Sequence, residues 1–206
     1  MSLVTFATEA FCNLRQTASI VPSSKHLAKA MVEPLRSMPR RCVIEFGPGT
    51  GVVTREILAC MPSDGVLLAF EINPQFAKYL REQIPDERLH VVSAGAETAP
   101  AELERRGIAE VDAVVSSLGI SNMRTAAVDA IFGPLRAYLN SQGAITQFQY
   151  ISRLKVSECK VRYFNVGSFM RRYFSSVHST CIWFNLPPAF VITCRGVSTD
   201  VVPTQR

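Results

Sequence analysis

The sequence predicts an α/β fold in which a seven-stranded, mostly parallel sheet ends in an antiparallel hairpin. One observation is that short apolar segments alternate with helical segments between residues 42 and 150. Strands that are apolar on both faces are typical of a parallel sheet covered by helices on both sides. Another is a pair of strand-like segments near the end, joined by Asn185-Leu186-Pro187-Pro188. The third is the composition of the 206 residues, 48% hydrophobic and 19% charged, which supplies a core and excludes a disordered chain.

The elements follow in a regular order. The apolar runs predict strands at 42–46, 66–71, 89–92, 111–117 and 143–150, and the segments between them predict helices at 53–60, 74–83, 102–106 and 125–139. A basic and aromatic stretch follows at 152–176, with a helix predicted at 168–174. Strands at 177–184 and 189–194 form the terminal hairpin at the edge of the sheet. Five strands and a hairpin together make the seven.

The first 40 residues are predicted to be helical. An amphipathic helix over 3–16 places its apolar residues at helical spacing: Leu3, Phe6, Ala7, Ala10, Phe11 and Leu14. Ser23 or Ser24 can cap a second helix. Along that second helix run Leu27, Met31 and Leu35. We therefore divide the chain into N-terminal helices at 1–40, an α/β domain at 41–197 and a flexible tail at 198–206.

Positive charge is concentrated in the last third of the chain. The net charge is +5, with 22 basic and 17 acidic residues. Residues 1–146 have 14 basic and 15 acidic side chains, whereas residues 147–206 have 8 basic and 2 acidic ones. This asymmetry indicates a polyanion or an anionic membrane surface as a partner. The alternative is a solvated basic face with no partner.

Several classes of protein are excluded by what the sequence lacks. No apolar run approaches the length needed to span a bilayer, and the N-terminus does not have the pattern of a signal peptide. We therefore expect a cytoplasmic protein. The six cysteines form no CxxC pair and have no histidine at metal-ligand spacing, so we expect reduced, structural thiols and no metal.

The strongest motif is Glu45-Phe46-Gly47-Pro48-Gly49-Thr50-Gly51, which follows a strand and begins a helix. Glycines there allow a tight turn and close approach of a ligand to the backbone, and Gly51 is expected to let the helix pack against the sheet. The helix N-terminus presents free N–H groups to an anionic group. Glu71 ends the second strand, where a carboxylate can accept hydrogen bonds from ribose hydroxyls. Together these features predict a site for a nucleoside cofactor.

The motif resembles that of class I S-adenosylmethionine-dependent methyltransferases, whose Rossmann-like, seven-stranded sheet ends in an antiparallel hairpin. The resemblance implies S-adenosylmethionine as the cofactor and S-adenosylhomocysteine as the product. It implies cofactor contacts at Glu45, Gly47, Gly49, Gly51, Glu71, Ile72, Ala96, Glu97 and Ser116. Many members have Asp at the position of Ala96, so Glu97 or the backbone is expected to contact the adenine.

A narrower resemblance is to the small soluble bacterial phosphatidylethanolamine N-methyltransferases, and it extends from about Phe11 to Arg195. Four segments carry it: Ile20-Val21-Pro22-Ser23-Ser24, residues 44–51, Gln147-Phe148-Gln149-Tyr150, and Trp183-Phe184-Asn185-Leu186-Pro187-Pro188-Ala189. The resemblance implies methyl transfer to the amine headgroup of phosphatidylethanolamine, and to its mono- and dimethyl derivatives. The expected partners are the phospholipid substrate and an anionic membrane surface.

Those enzymes are related to the ribosomal RNA adenine dimethylases, which are the main alternative. The dimethylases carry an Asn-Leu-Pro-Tyr element after the fourth strand, where this chain has Ser116-Ser117-Leu118-Gly119. The chain also ends before a C-terminal RNA-binding domain, so we expect no nucleic-acid partner. A second alternative is a catalytically degenerate cofactor-binding module, which Ala96 favours. A small-molecule or protein methyltransferase would not need the basic, aromatic last third.

A lipid substrate gives roles to the remaining features. Phe6 and Phe11 of the N-terminal helix are expected to lie in the membrane interface, although this helix could instead pack on the core or cover the cofactor. The residues expected to meet lipid headgroups are Arg153, Lys155, Arg171 and Arg172. Since aromatic residues lie among them, the mixture suits a membrane interface on the inner face of the cell membrane. The same composition would also suit nucleic acid.

The predicted chemistry is an in-line displacement on a sulfonium that is already activated. The protein then mainly positions the reactants and excludes water. The acceptor amine must be deprotonated, because an ammonium has no lone pair. We expect Ser117 to face the amine and Tyr150 to help hold the headgroup. No residue stands out as a general base, so the proton is expected to leave to bulk water.

Overall fold

A computed structural model describes residues 25–150, 154–157, 160–163, 165–183, 185 and 188–197. Its helices are α1 (Lys25–Val32), α2 (Val52–Cys60), α3 (Pro74–Gln83), α4 (Ala99–Arg106), α5 (Thr125–Leu135) and α6 (Val166–Met170). Its strands are β1 (Cys42–Phe46), β2 (Val66–Phe70), β3 (Leu89–Val92), β4 (Val111–Ser116), β5 (Leu139–Tyr150), β6 (Leu154–Ser157), β7 (Lys160–Tyr163), β8 (Phe174–Ile182) and β9 (Ala189–Val197). Short 3₁₀ helices lie at Glu33–Ser37, Ala96–Thr98 and Ile120–Asn122.

The main sheet has seven strands in the order β3-β2-β1-β4-β5-β9-β8. The first five strands are parallel, and β9 runs antiparallel to both β5 and β8. The predicted fold class is therefore confirmed. The chain moves from β1 outward to β3 and then back past β1 to β4. This reversal opens a crevice between β1 and β4 at their carboxyl ends, the position at which open α/β sheets bind ligands.

Helices cover both faces of the sheet because alternate residues of each central strand are buried on opposite sides. One face packs Ile44, Leu68 and Val114 with residues of α4, α5 and α6. The other packs Val43 and Leu67 with residues of α1, α2 and α3. Every apolar residue of the central strands is thus used, which explains their near-continuous apolar sequence.

The structure differs from the sequence prediction mainly after β4. Helix α5 ends at Leu135, because the chain turns there and enters β5 at Leu139, four residues earlier than predicted. The strands β6 and β7 form a separate two-stranded ribbon that was not predicted. The predicted helix at 168–174 is Val166–Met170, where the Asn165 side chain accepts a hydrogen bond from Ser168 N at 3.0 Å and starts the helix.

Parts of the predicted organisation lie outside the described residues. These are the amphipathic helix at 3–16 with Phe6 and Phe11, the Ser23 and Ser24 caps, Arg153, and the tail at 198–206. The second N-terminal helix is present as α1, and it packs on the sheet through Leu27 and Met31. Within the described ranges, no helix is long and apolar enough to cross a bilayer. Burial raises the pKa of Cys42 and of Cys194 to about 12, so both thiols stay protonated.

Candidate active site

The site lies where β1, β2 and β4 end side by side. Phe46 pairs with Phe70 on one side and with Ser116 on the other. The parallel hydrogen bonding continues one residue further, because Gly47 N donates to Phe70 O at 3.0 Å and Ser117 N donates to Phe46 O at 2.8 Å. These two hydrogen bonds fix the position at which the glycine loop leaves β1, and they hold the end of β4 beside it.

The three glycines of the loop all have positive φ, at 68°, 54° and 77° for Gly47, Gly49 and Gly51. A Cβ built on Gly49 would meet no atom within 4 Å, so this part of the backbone is open to a ligand. A Cβ on Gly51 would lie 2.6 Å from Cδ1 of Ile84 and 2.8 Å from Cδ2 of Leu80. Gly51 is thus required by close packing against the end of α3. The sequence predicted instead that Gly51 lets α2 approach the sheet.

Glu71 holds the loop from the neighbouring strand. Its buried carboxylate accepts hydrogen bonds from Gly49 N at 3.1 Å through Oε2 and from Asn73 N at 2.8 Å through Oε1. Each oxygen keeps a second lone pair, so the same carboxylate can still accept from the two hydroxyls of a ribose. Glu71 therefore both organises the loop and presents acceptors to the crevice.

Glu45 is a fully buried carboxylate at the base of the loop. Neither of its oxygens accepts a hydrogen bond from the described residues, and the neighbouring Thr54 hydroxyl of α2 is also unpartnered. Burial, with a smaller contribution from the charge of Glu71, raises the pKa of Glu45 to about 8, although the nearby polar Thr54 hydroxyl, which completes no hydrogen bond with it, acts in the opposite direction. A buried acid without a partner is costly for the fold, and such a group suits a site for a cationic ligand.

Three further predicted cofactor residues form a rim around this crevice. Ile72, directly after Glu71, is 78% exposed and offers an apolar surface at the end of β2. Ala96 is buried in the 3₁₀ turn after β3, and Glu97 is exposed beside it. The Glu97 carboxylate lies back over Gly95, since a Cβ on Gly95 would meet Glu97 Oε1. Apolar and acidic groups thus follow the ends of β2 and β3.

A second pocket adjoins the crevice at the ends of β4 and β5. It is lined by Ser117, Leu118, Gly119, Ile120, Ser121, Phe148, Gln149, Tyr150 and Val166. The structure thereby brings together Ser117 and Tyr150, the two residues expected to position the acceptor. The rings of Phe148 and Tyr150 lie edge to face at 5.1 Å between centroids. Among the described residues of this lining, none carries a charge.

Two glutamines of β5 shape this pocket, and the sequence did not assign them a role. Gln147 Nε2 donates to Leu118 O and to Phe148 O, each at 2.8 Å, and so ties the loop after β4 to β5. Gln149 Oε1 accepts from Val166 N at 3.1 Å and holds the start of α6 against the pocket. The only signal was the Gln-Phe-Gln-Tyr segment itself, which does not say which side chains point inward.

The basic residues predicted to face a membrane lie in different surroundings. Arg171 is exposed at the end of α6. Arg172 lies with Nη1 3.7 Å from Asp129 Oδ1 and its guanidinium 5.1 Å from the centre of the Phe169 ring. Tyr173 donates a hydrogen bond to the same Asp129 carboxylate. Arg172 therefore belongs to a cluster that fastens α6 to α5, and Lys155 lies on the β6–β7 ribbon.

Comparison with known proteins identifies the family. Ornithine lipid N-methyltransferase of Singulisphaera acidiphila is 30% identical over 181 residues, which are 87% of this chain and 88% of that protein. The chain belongs to the family of this enzyme, within the class I S-adenosylmethionine-dependent methyltransferases. Ribosomal RNA small subunit methyltransferase H of Aromatoleum aromaticum is 38% identical over 96 residues, but these are only 30% of that protein. The chain matches no protein-family model.

Solved methyltransferase structures share the fold. The 1,6-didemethyltoxoflavin-N1-methyltransferase of Burkholderia thailandensis, which holds S-adenosylhomocysteine, has a TM-score of 0.65 at 17% identity and covers 96% of this chain and 92% of its own. Precorrin-6y C5,15-methyltransferase of Geobacter metallireducens has a TM-score of 0.58 at 18% identity, with 82% of this chain and 87% of its own covered. Because the sequence identities are only 17% and 18%, these structural similarities show the methyltransferase fold alone.

S-adenosylmethionine is the cofactor of this methyltransferase family, and the site fits it. The unpartnered Glu45 carboxylate suits the cationic methionine part, the open Gly49 backbone allows close approach, and Glu71 retains acceptors for the ribose. When bound, the cofactor supplies the electrophilic methyl group. No group of three or more metal-ligating side chains occurs among the described residues.

Proposed function

We propose that this methyltransferase transfers methyl groups to the amine headgroup of phosphatidylethanolamine at a membrane surface. The observation that carries the proposal is the 30% identity, over 87% of the chain, to an enzyme named for methylating a lipid amine. The narrower sequence resemblance to phosphatidylethanolamine N-methyltransferases selects the headgroup. The acceptor pocket beside the cofactor crevice supplies the place for it.

The uncharged lining of the acceptor pocket favours the reactive form of the substrate. Removing an amine from water into a pocket without a carboxylate disfavours its charged form and lowers its pKa. The neutral amine that results has the lone pair needed for attack. In this proposal Ser117 and Tyr150 orient the amine by hydrogen bonding, while Phe148 excludes water. The proton leaves to bulk solvent as the headgroup enters, so no general base is required.

The membrane partner is part of the same proposal. The net charge of +6 in residues 147–206, from 8 basic and 2 acidic residues, favours an anionic lipid surface. We propose peripheral association with the inner face of the cell membrane, with Arg171 as a headgroup contact. Within the N-terminal segment 1–40, the predicted helix at 3–16 is proposed to cover the active site or lie in the interface, whereas α1 packs on the sheet. The methyltransferase domain at 41–197 and a tail at 198–206 follow.

The test is methyl transfer from labelled S-adenosylmethionine to vesicles of defined composition. Vesicles of phosphatidylethanolamine and phosphatidylglycerol should acquire label in the lipid phase, whereas phosphatidylcholine and phosphatidylglycerol vesicles should not. Ser117→Ala and Tyr150→Phe should each lower kcat by about tenfold or more, because both position the amine rather than bind the cofactor. Label in added RNA, or in no lipid, would overturn the proposal.

Ornithine lipid is the second candidate acceptor, because the similar enzyme of Singulisphaera acidiphila is named for it. Its headgroup presents a primary amine, as phosphatidylethanolamine does, but carries no phosphate. Vesicles of ornithine lipid and phosphatidylglycerol form the matching arm of the assay. Labelling of this lipid in preference to phosphatidylethanolamine would assign the ornithine headgroup instead.

A further inference from the structure

The strand β8 forms an outer flank of the sheet, and no strand among the described residues pairs with its outer edge. It pairs with β9 on one side and ends the strand order on the other. His178, Ser179 and Thr180 are consecutive and all exposed, so both faces of the strand are open to solvent here as well as its edge. We call this surface, from Arg171 to Trp183 together with Arg195 of the neighbouring strand β9, the β8 flank.

The β8 flank carries more basic than acidic charge. The sequence from 165 to 197 contains three arginines and neither aspartate nor glutamate. Arg172 is paired with Asp129 of α5, but Arg171 and Arg195 are exposed. Arg195 pairs in register with Ser176, so both exposed arginines lie near the start of β8.

Trp183 lies at the opposite end of the flank, beside the acceptor pocket. It is 71% exposed, and only Ile72 is a comparably exposed large apolar residue among the described ones. Ile182 is in register with Ala189, and Ala189 is in register with Tyr150. Ile182, the residue before Trp183, is therefore two strand spacings, of roughly 4.8 Å each, from Tyr150 of the pocket. An exposed indole is suited to the headgroup region of a bilayer, because its ring is apolar and its N–H can donate.

We propose that the β8 flank is the surface that docks on an anionic bilayer, with Trp183 as its interfacial anchor next to the acceptor pocket. The proposal rests on the lipid substrate proposed above and adds which side of the molecule meets the lipid. Docking in this orientation brings the pocket to headgroup height, so a headgroup reaches it by a short displacement. The exposed Arg171 and Arg195, near the start of β8, then contact lipid phosphates.

A second copy of the chain is a less suitable occupant of this flank. The sequence from 165 to 197 offers a second copy no acidic side chain that could pair with Arg171 or Arg195. An anionic surface instead gains attraction from each of them.

The chain contains one tryptophan, so its fluorescence reports on this anchor directly. Adding vesicles of phosphatidylethanolamine and phosphatidylglycerol should shift the emission to shorter wavelength, and lipids brominated near the headgroup should quench it. Vesicles of phosphatidylcholine alone should do neither. Emission that stays unchanged while the protein cosediments with the anionic vesicles would overturn the proposal, since binding would then use another surface.

Variants separate docking from chemistry. Trp183→Ser and Arg171→Glu should each lower vesicle partitioning about tenfold. Lys78→Glu makes the same charge change as Arg171→Glu at an exposed site on α3, which connects β2 to β3 at the end of the strand order opposite β8, and should leave partitioning unchanged. Trp183→Ser should retain methylation of a soluble short-chain phosphatidylethanolamine while losing activity on vesicles. Equal losses on both substrates, or equal effects of Lys78→Glu and Arg171→Glu, would contradict this docking surface.

The two proposals can fail separately. If labelled vesicle lipid forms while Trp183 fluorescence stays unchanged, the docking surface is wrong and the lipid substrate stands. If neither the vesicles nor the soluble lipid acquires label, the proposed substrate is wrong whatever the fluorescence shows. A blue shift that depends on protein concentration and occurs without lipid would instead assign the flank to a second copy.

Discussion

At the scale of single residues, Glu45 is the most unusual group in the site. The sequence identified it as a cofactor residue, because an acid stands two residues before the first glycine of the loop. Its complete burial and its lack of a partner among the described residues depend on α2 lying across the end of β1, which places Thr54 beside it. Spacing along the chain does not contain this information. The fold thus maintains a destabilising acid at the base of the glycine loop, where the cofactor is expected to bind.

The burial of Glu45 predicts that the free energy of unfolding of the apoprotein falls as pH rises. From about pH 5 to about pH 8 the folded chain keeps a proton on Glu45 that the unfolded chain releases, because the pKa is raised from 4.5 to about 8. The free energy of unfolding therefore falls as pH rises through this window, by at most about 1.4 kcal/mol per pH unit. Glu45→Gln should remove this slope and bind S-adenosylhomocysteine more weakly, as measured by urea unfolding and calorimetry. Glu87→Gln, at an exposed carboxylate, is the control.

At the scale of elements, the sequence predicted best those helices and strands whose ends are marked by local sequence signals. The strands β1 and β3 and the helix α3 have the predicted bounds, because apolar runs and turn residues delimit them directly. The region after β4 was predicted less well. The ends of α5 and β8 depend on tertiary pairing, and the β6–β7 ribbon has no strong turn signal in its sequence. Burial against distant strands, which a linear pattern does not reveal, decides these boundaries.

The glycine loop gives a matched pair of substitutions within one element. Gly51→Ala places a Cβ against Leu80 and Ile84 in a left-handed conformation and should cost about 2–4 kcal/mol of unfolding free energy. Gly49→Ala has the same conformational cost, but its Cβ meets open space, so about 1–2 kcal/mol is expected. Its main effect should be weaker binding of S-adenosylhomocysteine. Equal destabilisation by both variants would show that packing against α3 is not what requires Gly51.

At the scale of the whole molecule, the seven-stranded, mostly parallel sheet with an antiparallel hairpin at its edge was predicted from the sequence, whereas the order of its strands was not. The acceptor pocket could not, because it joins the loop after β4, the end of β5 and the start of α6, and two glutamines fix these parts together. The position of Arg172 likewise depends on Asp129, 43 residues earlier in the chain. Residues brought together from separate elements carry no common sequence pattern.

The cofactor crevice joins β1, β2 and β4, so ligand binding should stabilise the entire domain. S-adenosylhomocysteine at a hundred times its Kd should raise the free energy of unfolding by about 2.7 kcal/mol. Glu71→Ala should abolish this gain at the same ligand concentration, because it removes the acceptors for the ribose and two hydrogen bonds to the loop and to Asn73. Urea unfolding with and without ligand measures both. A variant that still gained the full stabilisation would show that Glu71 does not contact the ligand.

The hydrogen bond from Gly49 of the glycine loop to Glu71 also affects the kinetics of cofactor binding. A loop fastened to the neighbouring strand before the ligand arrives has little conformational freedom left to lose on binding. Arrival of the cofactor should then be a single fast step without a slow rearrangement. Substitutions around the crevice will accordingly change how long the cofactor stays rather than how quickly it enters.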